Sequence, residues 1–427
     1  MTTATARGTP AKGERDLAID WLRDLGICAV VLIHVCEVFN PWDEWHVANP
    51  ERSRLAGEVV VFFAPWIMPL LMVLAGASAF YALRRRSARQ FSRERVTRLL
   101  LPLIVGILVL VPPQVYLERR LEGVVHGSFF AFYPHFFEGL YPRGNLSWHH
   151  LWFLAHLFVY SLLALPFFLY WQTGRGHRQL RRIARWCTGS FGIFWLAVPL
   201  VLERHLLWGL LSDRLVLTSD WANHAILFVA YVYGYMLAAE PELAAAVDHQ
   251  WKNALLLAGL VSAGLWALAW RGLLPNGLPE PYAPGYLAFW SAYGIGAWAW
   301  IVAVLGMMRA RPLRDAAFLR WSRNRSYAWY LVHQPVVIAI AVVVIPLHWA
   351  VGWKFLVIGV TTVAGTVGAA EGLQRIGLTR RLFGLPGSAK PAQVARKEAS
   401  NAALVLDGRE GVQVDMTRPV DHPELLR

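Results

Sequence analysis

The sequence predicts an all-α polytopic membrane protein with about ten transmembrane helices and both termini on the cytoplasmic side. Three observations predict it. First, 56% of the 427 residues are hydrophobic and only 16% are charged, where a soluble domain is nearer a quarter charged. Second, long apolar runs recur from residue 21 to about 373, each close to the roughly 20 residues that cross a bilayer. Third, the Lys and Arg residues cluster between these runs. With the N-terminus inside, the inner loops hold 19 of them and the outer loops 7. That bias puts both ends in the cytoplasm.

The elements follow in order. Residues 1–20 are polar and form a cytoplasmic N-terminal segment. The first run, 21–39, precedes "NPWDEWHVANPE", which offers no small-residue cleavage site, so it is an uncleaved helix and not a signal peptide. Further spans fall at 59–82, 99–117, 151–171, 189–208, 222–239, 252–270, 286–308, 326–346 and 351–372. Arginine-rich stretches such as "RRRSARQFSRER" lie between them as inner loops. The longest outer loop, 118–150, is rich in aromatics and histidine. Two roles suit it equally: covering a site, or lying on the bilayer as an aromatic belt. Residues 21–373 thus form the membrane domain. The remainder, 374–427, lacks the makings of a core and is expected to be a largely disordered cytoplasmic tail.

The net charge of +13 follows from topology. No zinc-finger spacing or basic-aromatic platform accompanies it, so nucleic acid is not an expected partner; the bilayer is. Of the three cysteines, Cys28 and Cys36 share one predicted helix and Cys187 sits alone in a basic loop. No disulfide framework or cysteine metal site is expected.

The first span reads "DWLRDLGICAVVLIH" and carries two residues that are costly in hydrocarbon, Arg23 and His34. Eleven helical positions turn about 1100°, within about 20° of three full turns, so the two share a face about 16 Å apart along the axis. Glu37 follows His34 by three positions and lies near the same face. Two readings stand side by side. Arg23 could snorkel to lipid phosphates beside Asp20, with His34 a neutral core residue. Alternatively, His34 with Glu37 is a general-base pair and Arg23 an anion binder.

These residues and four later stretches resemble the integral membrane acyltransferase family 3. "IDWLRDLGICAVVLIH" carries the family's R-x10-H spacing in Arg23 and His34. "MPLLMVLAGASAFYALRRR", "RVTRLLLPLIVGILVLVPPQVYLE", "HHLWFLAHLFVYSLL" and "SYAWYLVHQPVV" are similar to its second, third, WFL and YLxH helices, in that order. The likeness spans about residues 15–375, and its nearest subgroup is that of glucan succinyltransferases. One departure is "LAGAS" where the family has an LSG-type stretch.

The resemblance implies an enzyme of the inner membrane that moves an acetyl or succinyl group from acyl-CoA to a hydroxyl of a cell-envelope carbohydrate or glucan. It implies His34 as the base, helped by Glu37, and Arg23 as a holder of coenzyme A phosphates. Acyl-CoA enters as a donor substrate; no permanently bound cofactor and no metal are expected. His333, in "YLVHQP", is placed about 10 Å in from the cytoplasmic side, shallower than His34. It either lines the donor channel or bonds a neighbouring helix. Trp148, His149 and His150 stand at the outer mouth of the fourth span and are candidates for contact with the sugar, or are belt residues. A transporter or flippase is the rival class, because intramembrane ionisable groups also build proton relays.

Overall fold

The computed structural model describes residues 17–189, 191–207, 221–271 and 283–386, with only the backbone described for Arg204. The segments 1–16 and 387–427 lie outside the described residues, and with them most of the expected N-terminal segment and tail. Among the described residues the fold is helical, without a β-strand.

Eight described helices are long and apolar enough to cross a membrane. They are α2 (Arg54–Leu83), α3 (Ala88–Leu121), α4 (His149–Trp171), α7 (Trp221–Ala239), α8 (Pro241–Trp270), α9 (Pro284–Ala310), α10 (Ser326–Val344) and α11 (Val351–Arg375). The first helix, α1, runs Leu17–Glu37 and carries Asp20, Arg23, Asp24 and Glu37. Its 21 residues give it a length of about 31 Å, the thickness of the hydrocarbon core. In the fifth predicted span, α6 is described over Ala197–Leu207. The predicted basic loop 172–188 instead contains an amphipathic helix, α5 (Gly174–Trp186), whose N-cap Thr173 accepts a bond from the Gly176 N–H. Its apolar side buries Leu180 and Ala184, and Cys187 follows, 2% exposed.

Several helices are longer than the apolar runs that predict them. The hydrocarbon limits the run, not the helix, and caps carry the coil onward into polar sequence. The start of α3 shows this: Ser87 and Gln90 form a reciprocal capping box before the arginine-rich first turns. Prolines set the breaks. Pro65 lies in the turn between the two halves of α2, Arg54–Phe63 and Ile67–Leu83. Pro112 and Pro113 follow the break at Leu110 in α3, because a proline lacks the N–H that would continue the ladder. The expected tail begins later than residue 374. A short helix, Gly377–Leu382, follows α11, and Phe383 and Leu385 are buried. Those two apolar side chains dock this segment on the bundle.

The bundle is built from close helix pairs: α2 with α7, α8 with α9, and α10 with α11. The first is held by two glycines. A Cβ on Gly76 would lie 1.8 Å from the Tyr231 carbonyl oxygen, and one on Gly234 would lie 1.9 Å from that of Val73. Only hydrogen fits at either place, so the backbones touch as small residues allow in membrane bundles. Gly76 in "LAGAS" is therefore a packing residue. The share of each apolar stretch that is buried separates centre from rim: 61% in α10, against 22% in α11 and 11% in α8. The outer faces of α8 and α11 carry exposed Leu256, Leu260, Trp353 and Val360, as lipid-facing helices do.

Candidate active site

α1 and α10 run in parallel, and two pairings fix their register. At one end the Ser322 hydroxyl donates to the Asp24 carboxylate. At the other, the rings of His34 and His333 stack with centroids 5.1 Å apart and planes 20° apart. His34 is ten residues beyond Asp24, and His333 is eleven beyond Ser322. The two histidines therefore lie at one depth. This corrects the shallower placement of His333: the chain is already among the helices at Ser322, before α10 starts at Ser326.

A third imidazole completes the group. His150, at the start of α4, meets His333 edge-on at 5.2 Å. α10 clasps it twice. The Leu331 carbonyl accepts from His150 Nε2 at 2.9 Å, and the Tyr330 hydroxyl donates to the His150 carbonyl at 2.6 Å. A carbonyl only accepts, so Nε2 carries the hydrogen and, in the neutral ring, Nδ1 carries the lone pair. His333 is locked the other way, with Nδ1 donating to the Tyr330 carbonyl at 2.7 Å, which leaves the lone pair on Nε2. His150 Nδ1, His333 Nε2 and His34 Nδ1 are all buried without a hydrogen-bond partner among the described residues. Unpaired buried nitrogens are costly. Two of these carry lone pairs and no bond among the described residues fixes the tautomer of His34, so together they mark a place built to receive polar groups from outside the protein.

The group continues toward the near end of the bundle. Trp45 stacks on His34 at 5.6 Å and adjoins His46 at 5.3 Å. His46 stacks on His149 at 4.1 Å and its Nδ1 lies 2.8 Å from Glu118 Oε2. The Tyr141 hydroxyl donates to Glu118 Oε1 at 2.9 Å. Burial, and then the Glu118 carboxylate, push the pKa of Tyr141 up, so it keeps the proton it donates. Arg119 pins the loop beneath by donating to the carbonyls of Pro142 and Gly144 at 2.6 and 3.1 Å. The long loop thus covers a site, although Phe130 and Leu140 on it remain 84% and 72% exposed.

The expected residues fall into three sets. His34, His333, His150 and His149 come together. Trp148 stands aside, edge-on to His156 at 6.5 Å. Glu37 is not the partner of His34. Its carboxylate accepts from Asn40 Nδ2 at 2.8 Å. Arg23 lies at the far end of α1, bonded to Asp20, which also accepts from Arg323 at 3.1 Å. Arg323 in turn pairs with Asp315 at 2.7 Å. Two cations and two carboxylates neutralise one another there. Also at that end, where α2, α4 and α7 finish, a cavity of about 430 Å³ is lined in part by Arg84, His177 and Arg181.

Trp45, His46, Glu118 and Tyr141 were not foreseen. The sequence held one faint signal for them: polar and aromatic residues packed into the loops at 42–47 and 118–150, at the His34 end.

The geometry, an imidazole group buried in a helical membrane bundle at the R-x10-H histidine, agrees with comparison to known proteins. The profile of an acyltransferase domain, that of acyltransferase family 3, matches residues 16–371. The chain belongs to this family. It is an integral membrane acyltransferase. Among its relatives are the proteins named Glucans biosynthesis protein C of Escherichia coli strains 536 and K12, each 24% identical over 163 residues. The alignment covers 37% of this chain and 40% of each relative, so the chain spans about two fifths of the length of the curated relatives it matches. No solved structure matches it.

Proposed function

We propose that this acyltransferase resides in the cytoplasmic membrane with ten spans, α1 and the α6 segment included, and with the Arg23 end facing the cytoplasm. It transfers an acetyl or succinyl group from acyl-CoA to a hydroxyl of a cell-envelope carbohydrate, a glucan being the acceptor suggested by the name of its relatives. One observation carries the reading: the three adjoining imidazoles of His34, His333 and His150, each with a buried nitrogen unpaired among the described residues. An acyl transfer to a hydroxyl needs such a base inside the membrane.

His34 takes the proton of the acceptor hydroxyl as its oxygen attacks the thioester carbonyl. The new C–O bond forms and the C–S bond breaks. The imidazolium then returns its proton to the departing thiolate, so that coenzyme A leaves as the thiol. His333 and His150, held in fixed tautomers by backbone carbonyls, position His34 and accept from neighbouring hydroxyls of the acceptor. The donor approaches from the Arg23 end. Arg23 contributes positive potential to it, diminished by Asp20.

The test is purified protein mixed with acyl-labelled acyl-CoA and an acceptor glucan. Labelled ester on the glucan, with loss of thioester, is expected from the wild type. His34→Ala should lower the rate by about 10²–10⁴-fold while the protein still inserts and purifies. Transfer at the wild-type rate by that variant would overturn the assignment.

A further inference from the structure

We infer that His46, Glu118 and His149 form a binding site for one divalent cation of the zinc class, at the edge of the imidazole group and linked to His34 through Trp45. The three residues come from three parts of the chain: the loop after α1, the end of α3 and the start of α4. One ligand atom of each lies within 4.8 Å of the other two. Glu118 Oε2 is 2.8 Å from His46 Nδ1 and 3.9 Å from His149 Nε2. A tetrahedral ion about 2.0–2.1 Å from its ligands sets them about 3.3 Å apart, which lies between these two separations.

The environment fits a ligand shell. His149 is 6% exposed and Glu118 3%. His149 Nε2 is buried and makes no hydrogen bond among the described residues, and it points at the Glu118 carboxylate. Its other nitrogen, Nδ1, is 2.9 Å from Ser147 Oγ. In the tautomer that donates to Ser147, Nε2 carries the lone pair, the second-shell arrangement common to metal-binding histidines. The second Glu118 oxygen is oriented by the Tyr141 hydroxyl. His149 holds this place with φ of 43°, a left-handed backbone that a non-glycine residue adopts at a cost. Two imidazoles and one carboxylate, with no thiolate, suit zinc or cobalt over magnesium, which prefers oxygen. Three protein ligands leave a fourth position open.

Such an ion would join three segments beside Trp45, which stacks on His34, and would replace the expectation of no metal. The site stands whether or not the chain transfers acyl groups, and its test reads metal, not turnover. Full-length protein without a histidine tag is purified in detergent, stripped with chelator, exposed to Zn²⁺ and desalted. Bound metal is then counted by mass spectrometry. About one equivalent is expected for wild type, and at least a tenfold loss for His46→Gln, Glu118→Gln and His149→Gln. Cobalt should give a visible absorption band of tetrahedral intensity that these variants lack. Because a misfolded variant also loses metal, the stripped wild type is melted with Zn²⁺ and with Mg²⁺. A rise with Zn²⁺ alone is expected. An unmetallated wild type, equal metal in the variants, or equal shifts with both ions would each overturn the site.

Discussion

The two ends of α1 hold polar groups in opposite ways. At the Arg23 end, Arg23, Asp20, Arg323 and Asp315 pair among themselves, and the buried Asp24 takes the hydroxyl of Ser322. Every one of these groups has a protein partner. At the His34 end, His34, His333 and His150 adjoin, yet each keeps a buried nitrogen with no hydrogen-bond partner among the described residues. A charged end that satisfies itself holds helices in register. A neutral end left unsatisfied waits for a ligand.

The sharpest test of the contrast is removal of His34. His34→Ala should cost about 10²–10⁴-fold in transfer, and its melting temperature should stay within a few degrees of the wild type. Loss of fold in place of activity would show that the imidazole group is structural, like the other end. Next comes the scaffold between the ends. Gly76→Val places a side chain against the Tyr231 carbonyl, and the α2–α7 contact must open. A loss of roughly 3 kcal/mol or more, on the scale of overpacking, should appear as reduced yield and early melting in detergent. A normal melt would mean that the two glycines do not hold the pair.

Smaller effects belong to the Arg23 end. Ser322→Ala removes one of the two hydroxyls, with that of Ser326, that bond the buried Asp24 carboxylate and should cost about 1 kcal/mol, read by thermal unfolding, with the acceptor KM unchanged. A raised acceptor KM would connect the two ends and break the contrast. The smallest effect is expected from Arg23→Ala. Its side chain is 36% exposed and its pairing is worth about 1 kcal/mol or less. The apparent KM for acyl-CoA should rise only a few-fold in steady-state assays. A rise of a hundredfold would make Arg23 the principal donor contact despite its pairing. Parallel assays of Arg84→Ala and Arg181→Ala show whether the cavity they line holds donor phosphates instead.

Much of the fold was legible because hydrocarbon imposes a simple rule. Apolar runs must be helices, and eight of the ten read from sequence are present as long apolar helices. The motifs also led to His34, His333, His149 and His150, which do meet. Partnership was not legible. Glu37 looked like the orienter of His34 from spacing, yet helical spacing fixes only angle and height, and the turn after α1 brings Asn40 to the carboxylate instead. Trp148, read as a sugar contact from its position in sequence, lies edge-on to His156, a neighbour that no spacing in the sequence names.

By itself the sequence determined a membrane bundle, its family and the identity of the deep histidine. Those follow from local quantities: run length, charge placement and the spacing within one helix. Only the tertiary structure decided that His46, Glu118 and Tyr141 join His149, that α10 sets the tautomers of His150 and His333, and that Asp20, the partner of Arg23, also accepts from Arg323 some 300 positions away. Such pairings depend on how helices far apart in the chain come into contact. Side-chain packing between them fixes that, and no periodicity within a single helix encodes it.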